Sequence, residues 1–188
     1  MDLGKLLEES GAILRGHFLL TSGRHSDTYF EKFRVLEQPK VLSALCTEIA
    51  EAHRHERIDF VAGPTTGGII IAFEVARQLG CDAVYVESED GRKTLRRGKT
   101  LPAGAKVLVV DDVLTTGRSV FEVLDVIREF GADPIGVAVL IDRAETPPNF
   151  GVPAFAAYTV QAQSYAPENV PASLAAIPIS KPGTRVGV

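Results

Sequence analysis

Residues 107 to 120 read Val-Leu-Val-Val-Asp-Asp-Val-Leu-Thr-Thr-Gly-Arg-Ser-Val, and these residue types could hold a ligand bearing both phosphate and hydroxyl groups. Asp111 and Asp112 set two carboxylates side by side. Val113, Leu114, Thr115, Thr116, Gly117, Arg118 and Ser119 follow, and then Val120, Val123, Leu124 and Ile127 recur at helical spacing. Small residues and hydroxyls just ahead of a helix make an anion site. Backbone N–H groups converge there, and the helix dipole favours negative charge. A pocket for phosphate alone should not carry two acids at its rim, so the pair suggests a ligand that also offers hydroxyls or a bound cation. A ribose 5-phosphate fits, with the carboxylates accepting from its 2- and 3-hydroxyls. A lone Asp-x-x-Thr would read more simply as a capped helix start; the full string is far more specific.

A second turn repeats this logic. Gly63-Pro-Thr-Thr-Gly-Gly68 contributes Thr65, Thr66, Gly67 and Gly68 between an apolar run and a helical pattern. Its glycines let a backbone approach a ligand closely and leave N–H groups available for anions. A third feature is cationic: Arg92, Lys93, Arg96, Arg97 and Lys99 fall within eight positions of an otherwise acidic chain. A charge run of this kind reads most simply as a solvated hairpin. Lying between two ligand-loop strands, it also suits a mobile clamp that closes over a polyanion and excludes water. A fourth is the pair Asp142-Arg143 at the end of a β-branched run, which could be a surface ion pair of little energetic weight.

The elements that must position these groups follow from hydrophobic period and turn residues. Helical patterns cover 3–14, 39–55 and 69–79, and a further helix starts near Val120. Strands are predicted at 18–20, 58–62, 82–86, 107–110, 135–141 and 150–160, with a turn at Ser22-Gly23. Run 107–110 is apolar throughout, as in a parallel sheet covered on both faces, and 58–62 reads as another buried strand. The 107–110 strand should end where Asp111 and Asp112 leave the sheet. Residues 24–26, Arg-His-Ser, read as a solvated hairpin tip, and His53 and His55 as solvated side chains at a helix end. Strand–helix alternation predicts an α/β fold, a doubly wound parallel sheet in a single domain spanning 1–188. In such sheets ligands bind beyond the carboxyl ends of the strands.

Composition narrows the class. The chain has 188 residues, 45% of them hydrophobic and 23% charged, which suits an ordinary globular core. A net charge of −4 argues against a general nucleic-acid binder. No apolar run approaches the ~20 residues that span a bilayer, and the N-terminus lacks a signal peptide's order. Cys46 and Cys81 read as reduced core thiols. A cytoplasmic protein is expected.

The 107–119 string resembles the phosphoribosyl pyrophosphate signature of the type I phosphoribosyltransferases. Residues 16–30, with Phe18-Leu-Leu-Thr-Ser-Gly-Arg-His-Ser26 and Tyr29-Phe30, resemble the N-terminal region of orotate phosphoribosyltransferases. Asp142-Arg143 and the tail containing Tyr165-Ala-Pro-Glu and Ile179-Ser-Lys-Pro-Gly-Thr-Arg185 point the same way. The resemblance implies a phosphoribosyltransferase fold whose small hood is formed by about residues 1–35 and the C-terminal tail. It implies that Asp111 and Asp112 set the ribose geometry, that 113–119 cradle the 5-phosphate, and that 65–68 hold pyrophosphate. Tyr29 and Phe30 would lie over orotate, and Arg143 would meet its carboxylate, which a planar guanidinium matches bidentately. The cationic stretch would be a lid with catalytic basic residues, Lys93 and Arg97 foremost, supported by Arg92, Arg96 and Lys99. Mg²⁺, held mainly by substrate and water, and a homodimer with shared active sites are implied too. The chain departs from the family where Thr21, Gly67 and Glu87-Ser88-Glu89 stand in place of common lysines, and where Val170 and Ser173 replace cysteines of the short bacterial branch. A transferase for another base, or a sensor of phosphoribosyl pyrophosphate without catalysis, are the other readings.

Overall fold

The computed structural model describes residues 2–20, 22–160 and 163–180. Its contacts separate two units, Met1–Val41 with Val160–Val188, and Leu42–Thr159. The first unit takes in the residues expected to form a hood, 1–35 and the tail, together with 36–41. The first unit opens with α1 (Leu3–Glu9), whose first turn is capped by the Asp2 carboxylate accepting from the Lys5 N–H at 3.1 Å. The predicted helix of 3–14 stops five residues early. Gly11 turns into the left-handed region (φ 75°), and β-branched Ile13 starts β1 (Ile13–Leu19) instead. β1 pairs antiparallel with β2 (His25–Phe30), and a short helix α2 (Lys32–Leu36) follows that the sequence pattern does not announce.

The second unit is built on the expected alternation. α3 (Pro39–His53) buries Leu42, Leu45, Cys46, Ile49 and Ala50, the face its spacing predicts. β3 (Phe60–Pro64), α4 (Gly67–Leu79), β4 (Asp82–Glu89), β5 (Arg92–Thr94), β6 (Lys106–Leu114), α5 (Arg118–Glu129), β7 (Asp133–Asp142) and β8 (Ala154–Thr159) complete it. Strands lie in the order β5-β4-β3-β6-β7-β8, all parallel except β5. The fold is therefore α/β with a parallel central sheet, as the buried β-branched runs require. Val107, Leu108, Val109 and Val110 are fully buried in β6, and α5 covers the sheet with Val120, Val123, Leu124 and Ile127.

His53 is not solvated. It is buried, bonded through Nδ1 to the Ile49 carbonyl oxygen at 2.8 Å, and set edge-on to the Phe155 ring, while His55 stays exposed. Cys46 is a core thiol, pushed up to about 12 by burial with Glu74 adding to the effect; Cys81 is only half-buried, its thiol also raised chiefly by burial.

The tail returns to the first unit as β9 (Ser164–Tyr165), a 3₁₀ turn (Pro167–Asn169), α6 (Ala172–Ala175) and β10 (Ile179–Ser180), giving a small sheet ordered β10-β1-β2-β9. Polar groups of the supposed solvated tip do this joining. Arg24 donates to the hydroxyl and the carbonyl oxygen of Ser164 at 2.9 and 2.7 Å, and Ser26 is buried against the Gln163 carbonyl. His17, also buried, pairs with His25 at 2.6 Å and with the Ile177 carbonyl at 3.0 Å.

Candidate functional site

Strand order locates the site. From β3 the chain first steps to β4 on one side and then places β6 on the other, so the order reverses between neighbours β3 and β6. Loops leaving those two strands diverge at the switch point, where open α/β sheets bind ligands. They are the Thr65–Gly68 turn and the Val113–Gly117 segment, the two anion loops expected from sequence.

The acidic pair lies deeper than expected. β6 continues to Leu114 because β7 is long enough to pair with it through Val113↔Ile141 and Leu114↔Asp142. Asp111 and Asp112 are thus strand residues, 5% and 8% exposed, not rim residues beyond the sheet. Each carboxylate is met by the following backbone N–H, Asp112 N–H on Asp111 at 2.8 Å and Val113 N–H on Asp112 at 2.7 Å. The Ser119 hydroxyl bonds Oδ2 of Asp111 at 2.5 Å. Thr115 and Thr116 are exposed beyond them, and Gly117, at φ 76°, caps α5 in a conformation that costs other residues energy. A Cβ there would also meet the Phe150 ring at 2.9 Å. Arg118, in the first turn of α5, is exposed and paired with Glu122.

The second loop is held by close backbone approach. A Cβ on Gly63 would lie 2.3 Å from the Gly68 carbonyl oxygen, and one on Gly68 would lie 2.5 Å from the Pro64 ring. Only glycine at both positions lets β3 run straight into α4, which begins at Gly67, two residues earlier than predicted. Thr65 donates its N–H to Val86 at 3.0 Å, and the Thr65–Thr66 peptide bond is cis. Thr66 is exposed at the helix start.

The cationic stretch forms an ordered hairpin. β4 and β5 pair antiparallel through Glu87↔Thr94, Ser88↔Lys93 and Glu89↔Arg92. Asp90 and Gly91, both at positive φ, make the two-residue turn that suits such a hairpin. Its return arm is anchored by Leu95 and Leu101, which are buried in the core cluster with Val120 and Leu124. Arg92 and Lys93 share with Thr115–Ser119 the lining of one open cleft of about 720 Å³. Arg96, Arg97 and Lys99 lie outside that lining. Arg96 pairs with Glu89 at 3.0 Å, and Arg97 with Glu87 at 3.4 Å. The hydrogen bond to Glu87 holds the Arg97 guanidinium above its ordinary range. Glu87 and Glu89 were thus missed as partners, although Asp90-Gly91 signals the turn that brings them opposite the cations.

Arg143 follows β7, its N–H bonded to the Leu114 carbonyl at 2.9 Å, while Asp142 accepts from the Ala144 N–H at 2.8 Å. In the first unit Tyr29 and Phe30 point to opposite faces of β2, as neighbours on a strand must. Phe30 is buried, and the half-buried Tyr29 ring lies 5.6 Å from that of Phe18. Thr21 and tail residues 181–185 lie outside the described residues. Among the described residues no three His, Cys, Asp or Glu side chains gather as a metal cage, and no helix is long and apolar enough to cross a membrane.

A family model described as the phosphoribosyl transferase domain matches residues 34–150, and the chain belongs to that family. Its curated relatives narrow the activity. It is 45% identical over 184 residues to an orotate phosphoribosyltransferase of Pelotomaculum thermopropionicum, covering 98% of this chain and 97% of that one. It is 43% identical over 180 residues to that of Desulforamulus reducens, covering 96% and 94%. Among solved structures, the orotate phosphoribosyltransferase of Aeropyrum pernix superposes with a TM-score of 0.69 at 32% identity, over 85% of this chain and 94% of that one.

Proposed function

We infer that this chain is an orotate phosphoribosyltransferase: orotate and 5-phosphoribosyl 1-pyrophosphate give orotidine 5′-phosphate and pyrophosphate, a step in pyrimidine synthesis. The observation that carries the reading is the buried acidic pair running directly into a glycine-capped anion loop at the sheet's switch point. High identity to orotate enzymes over nearly the whole chain supports the base. As the C1–O bond to pyrophosphate breaks and the C1–N bond to orotate forms, positive charge develops on the ribose and negative charge on the leaving group. No protein nucleophile is needed, so the chain's task is positioning and charge stabilisation.

Backbone N–H groups and hydroxyls of Val113–Ser119 take the 5-phosphate, and Asp111 and Asp112 orient the ribose hydroxyls. Thr65, Thr66, Gly67 and Gly68 hold the pyrophosphate, and Lys93 with Arg92 reaches its charge from the hairpin. Arg96, Arg97 and Lys99 form a reserve of cations on the same lid. Arg143 is assigned to the orotate carboxylate and Tyr29 to its ring, on the family motif, while Phe30, buried on the opposite face of β2, backs the strand. The adjacent carboxylates of Asp111 and Asp112 fit Mg²⁺ carried mainly by substrate and water, where the ion would spread the charge of the departing pyrophosphate. We place the whole chain in one functional domain and in the cytoplasm, in keeping with two free cysteines.

A homodimer with shared sites is supported by an apolar stripe on α4, where Ile70 and Phe73 are exposed one turn apart. Mixing Lys93→Ala with Asp112→Asn subunits is expected to recover activity if the hairpin serves a neighbour; no recovery between exchanging subunits confines it to its own. The reading as a whole is tested by following orotate absorbance with phosphoribosyl pyrophosphate and Mg²⁺, with adenine, hypoxanthine and uracil as competing bases. Loss of orotate alone is expected; turnover of a purine instead, or of no base, overturns it.

A further inference from the structure

Ser119 stands at the start of α5, and its hydroxyl reaches back eight residues to Oδ2 of Asp111 at 2.5 Å. The other oxygen of that carboxylate, Oδ1, already accepts the Asp112 N–H at 2.8 Å. Both oxygens of a buried acid are therefore engaged by the loop that follows it. Ser119 also lines the cleft beside Thr115, Thr116, Gly117 and Arg118. It thus links the cleft to the buried Asp111 carboxylate.

A serine hydroxyl carries a single hydrogen, and the oxygens of a phosphate dianion only accept. The bond from Ser119 to Asp111 and a bond from Ser119 to a phosphate are mutually exclusive. Both acceptors are charged, so the two bonds are of similar strength and the hydrogen can be exchanged at small net cost. We propose that Ser119 is a coupling residue: a 5-phosphate entering the loop takes its hydroxyl hydrogen and releases Oδ2 of Asp111 to accept from a ribose hydroxyl. Without phosphate, the acid stays masked by the serine. Hydroxyl recognition is then conditional on phosphate recognition, and a ribose lacking the phosphate meets an occupied carboxylate. The inference rests on reading 113–119 as the phosphate loop and adds an order of events within it.

The test is a double-mutant cycle read by titration calorimetry with inorganic phosphate and with ribose 5-phosphate, neither of which depends on the base. Asp111→Asn removes a charge and also loosens the serine; Asp112→Asn removes a charge next to it and keeps an amide oxygen for the Val113 N–H, leaving the serine's bond in place. Asp111→Asn is expected to tighten inorganic phosphate binding about fivefold more than Asp112→Asn does, a hydrogen bond's share. That excess should vanish when Ser119→Ala is added and persist with Ser119→Thr, which keeps the hydroxyl. Equal gains in the presence and absence of the hydroxyl overturn the coupling while leaving the phosphate loop intact. Failure of the wild-type protein to bind either ligand overturns the reading of the loop itself. Thermal melts of each variant confirm that folded proteins are being compared.

Discussion

The end of β6 and the β4–β5 hairpin both carry charged side chains, yet they manage them in opposite ways. In β6 the charges of Asp111 and Asp112 are buried, and each carboxylate accepts from the backbone N–H of the following residue, with the Ser119 hydroxyl on Asp111 as well. In the hairpin the cations are exposed and pair with carboxylates, Arg97 with the half-buried Glu87 and Arg96 with the exposed Glu89. A buried, self-bonded site is preorganised and needs little rearrangement when charge develops on a substrate. Exposed ion pairs contribute little to stability and are readily exchanged for a better anion. On the proposed reading, the ribose end meets buried carboxylates, and the leaving-group end meets replaceable ion pairs.

The contrast can be broken most forcefully in β6. Asp112→Asn is nearly isosteric, so its melting curve should stay close to wild type while turnover of orotate falls by roughly a hundredfold, the usual scale for a preorganised group. Unchanged turnover would reduce the acidic pair to a structural element that orders the end of β6. In the hairpin, Lys93→Ala is expected to cost about tenfold in turnover, near 1.4 kcal/mol of barrier. Because the effect belongs to the departing charge, it should appear in kcat and not only in KM. Arg97→Ala, whose guanidinium is already engaged by Glu87, is expected to cost no more than about threefold, within the range of an exposed pair. Equal losses at the two positions would erase the distinction between cleft-lining and self-paired cations.

The smallest effect on activity is expected at Glu74, outside both regions. Its carboxyl is held down to about 2 from 4.5, first by the Arg77 hydrogen bond and then by Gln78 and Ser43, against an opposing cost of burial. A lowered value in the folded chain means stabilisation present above pH 4.5 and lost as pH falls toward 2. Glu74→Gln should therefore lower stability at neutral pH by on the order of 2 kcal/mol and flatten the acid limb of a denaturation profile. Its turnover should remain at the wild-type level; a fall would mean that α4 transmits strain to the Thr65–Gly68 turn.

Much of this arrangement is legible in the residues themselves. Mainly apolar runs located β3 and β6, and spacings of three and four located α3, α4 and α5, because burial dictates both patterns. Charge misled the reading in two places. Asp111 and Asp112 looked like the end of a strand, although the ladder to β7 continues past them and local N–H groups make their burial affordable. Arg24 and Ser26 looked solvated, although they tie β2 to a two-residue strand too short to show any period. His53 was misread for a similar reason, since its partners are a carbonyl one turn back and a phenylalanine about a hundred residues away. In the hairpin the basic cluster was visible, but its pairing with Glu87 and Glu89 depends on register, which Asp90-Gly91 alone would have fixed.

The contact of Gly63 with Gly68 makes one corner of the molecule almost closed to sequence drift. Elsewhere on the ligand edge a substitution exchanges one side chain for another, and a neighbour can shift to receive it. At this corner any side chain at all would press on backbone atoms or a proline ring, so there is nothing to shift except the turn itself, which the proposed function assigns to the pyrophosphate. A saturation library across residues 63–68 should retain glycine at both ends while Thr66, which faces solvent, drifts as far as chemistry allows. An engineer seeking a new leaving group would therefore vary the middle of the turn and leave its two ends alone.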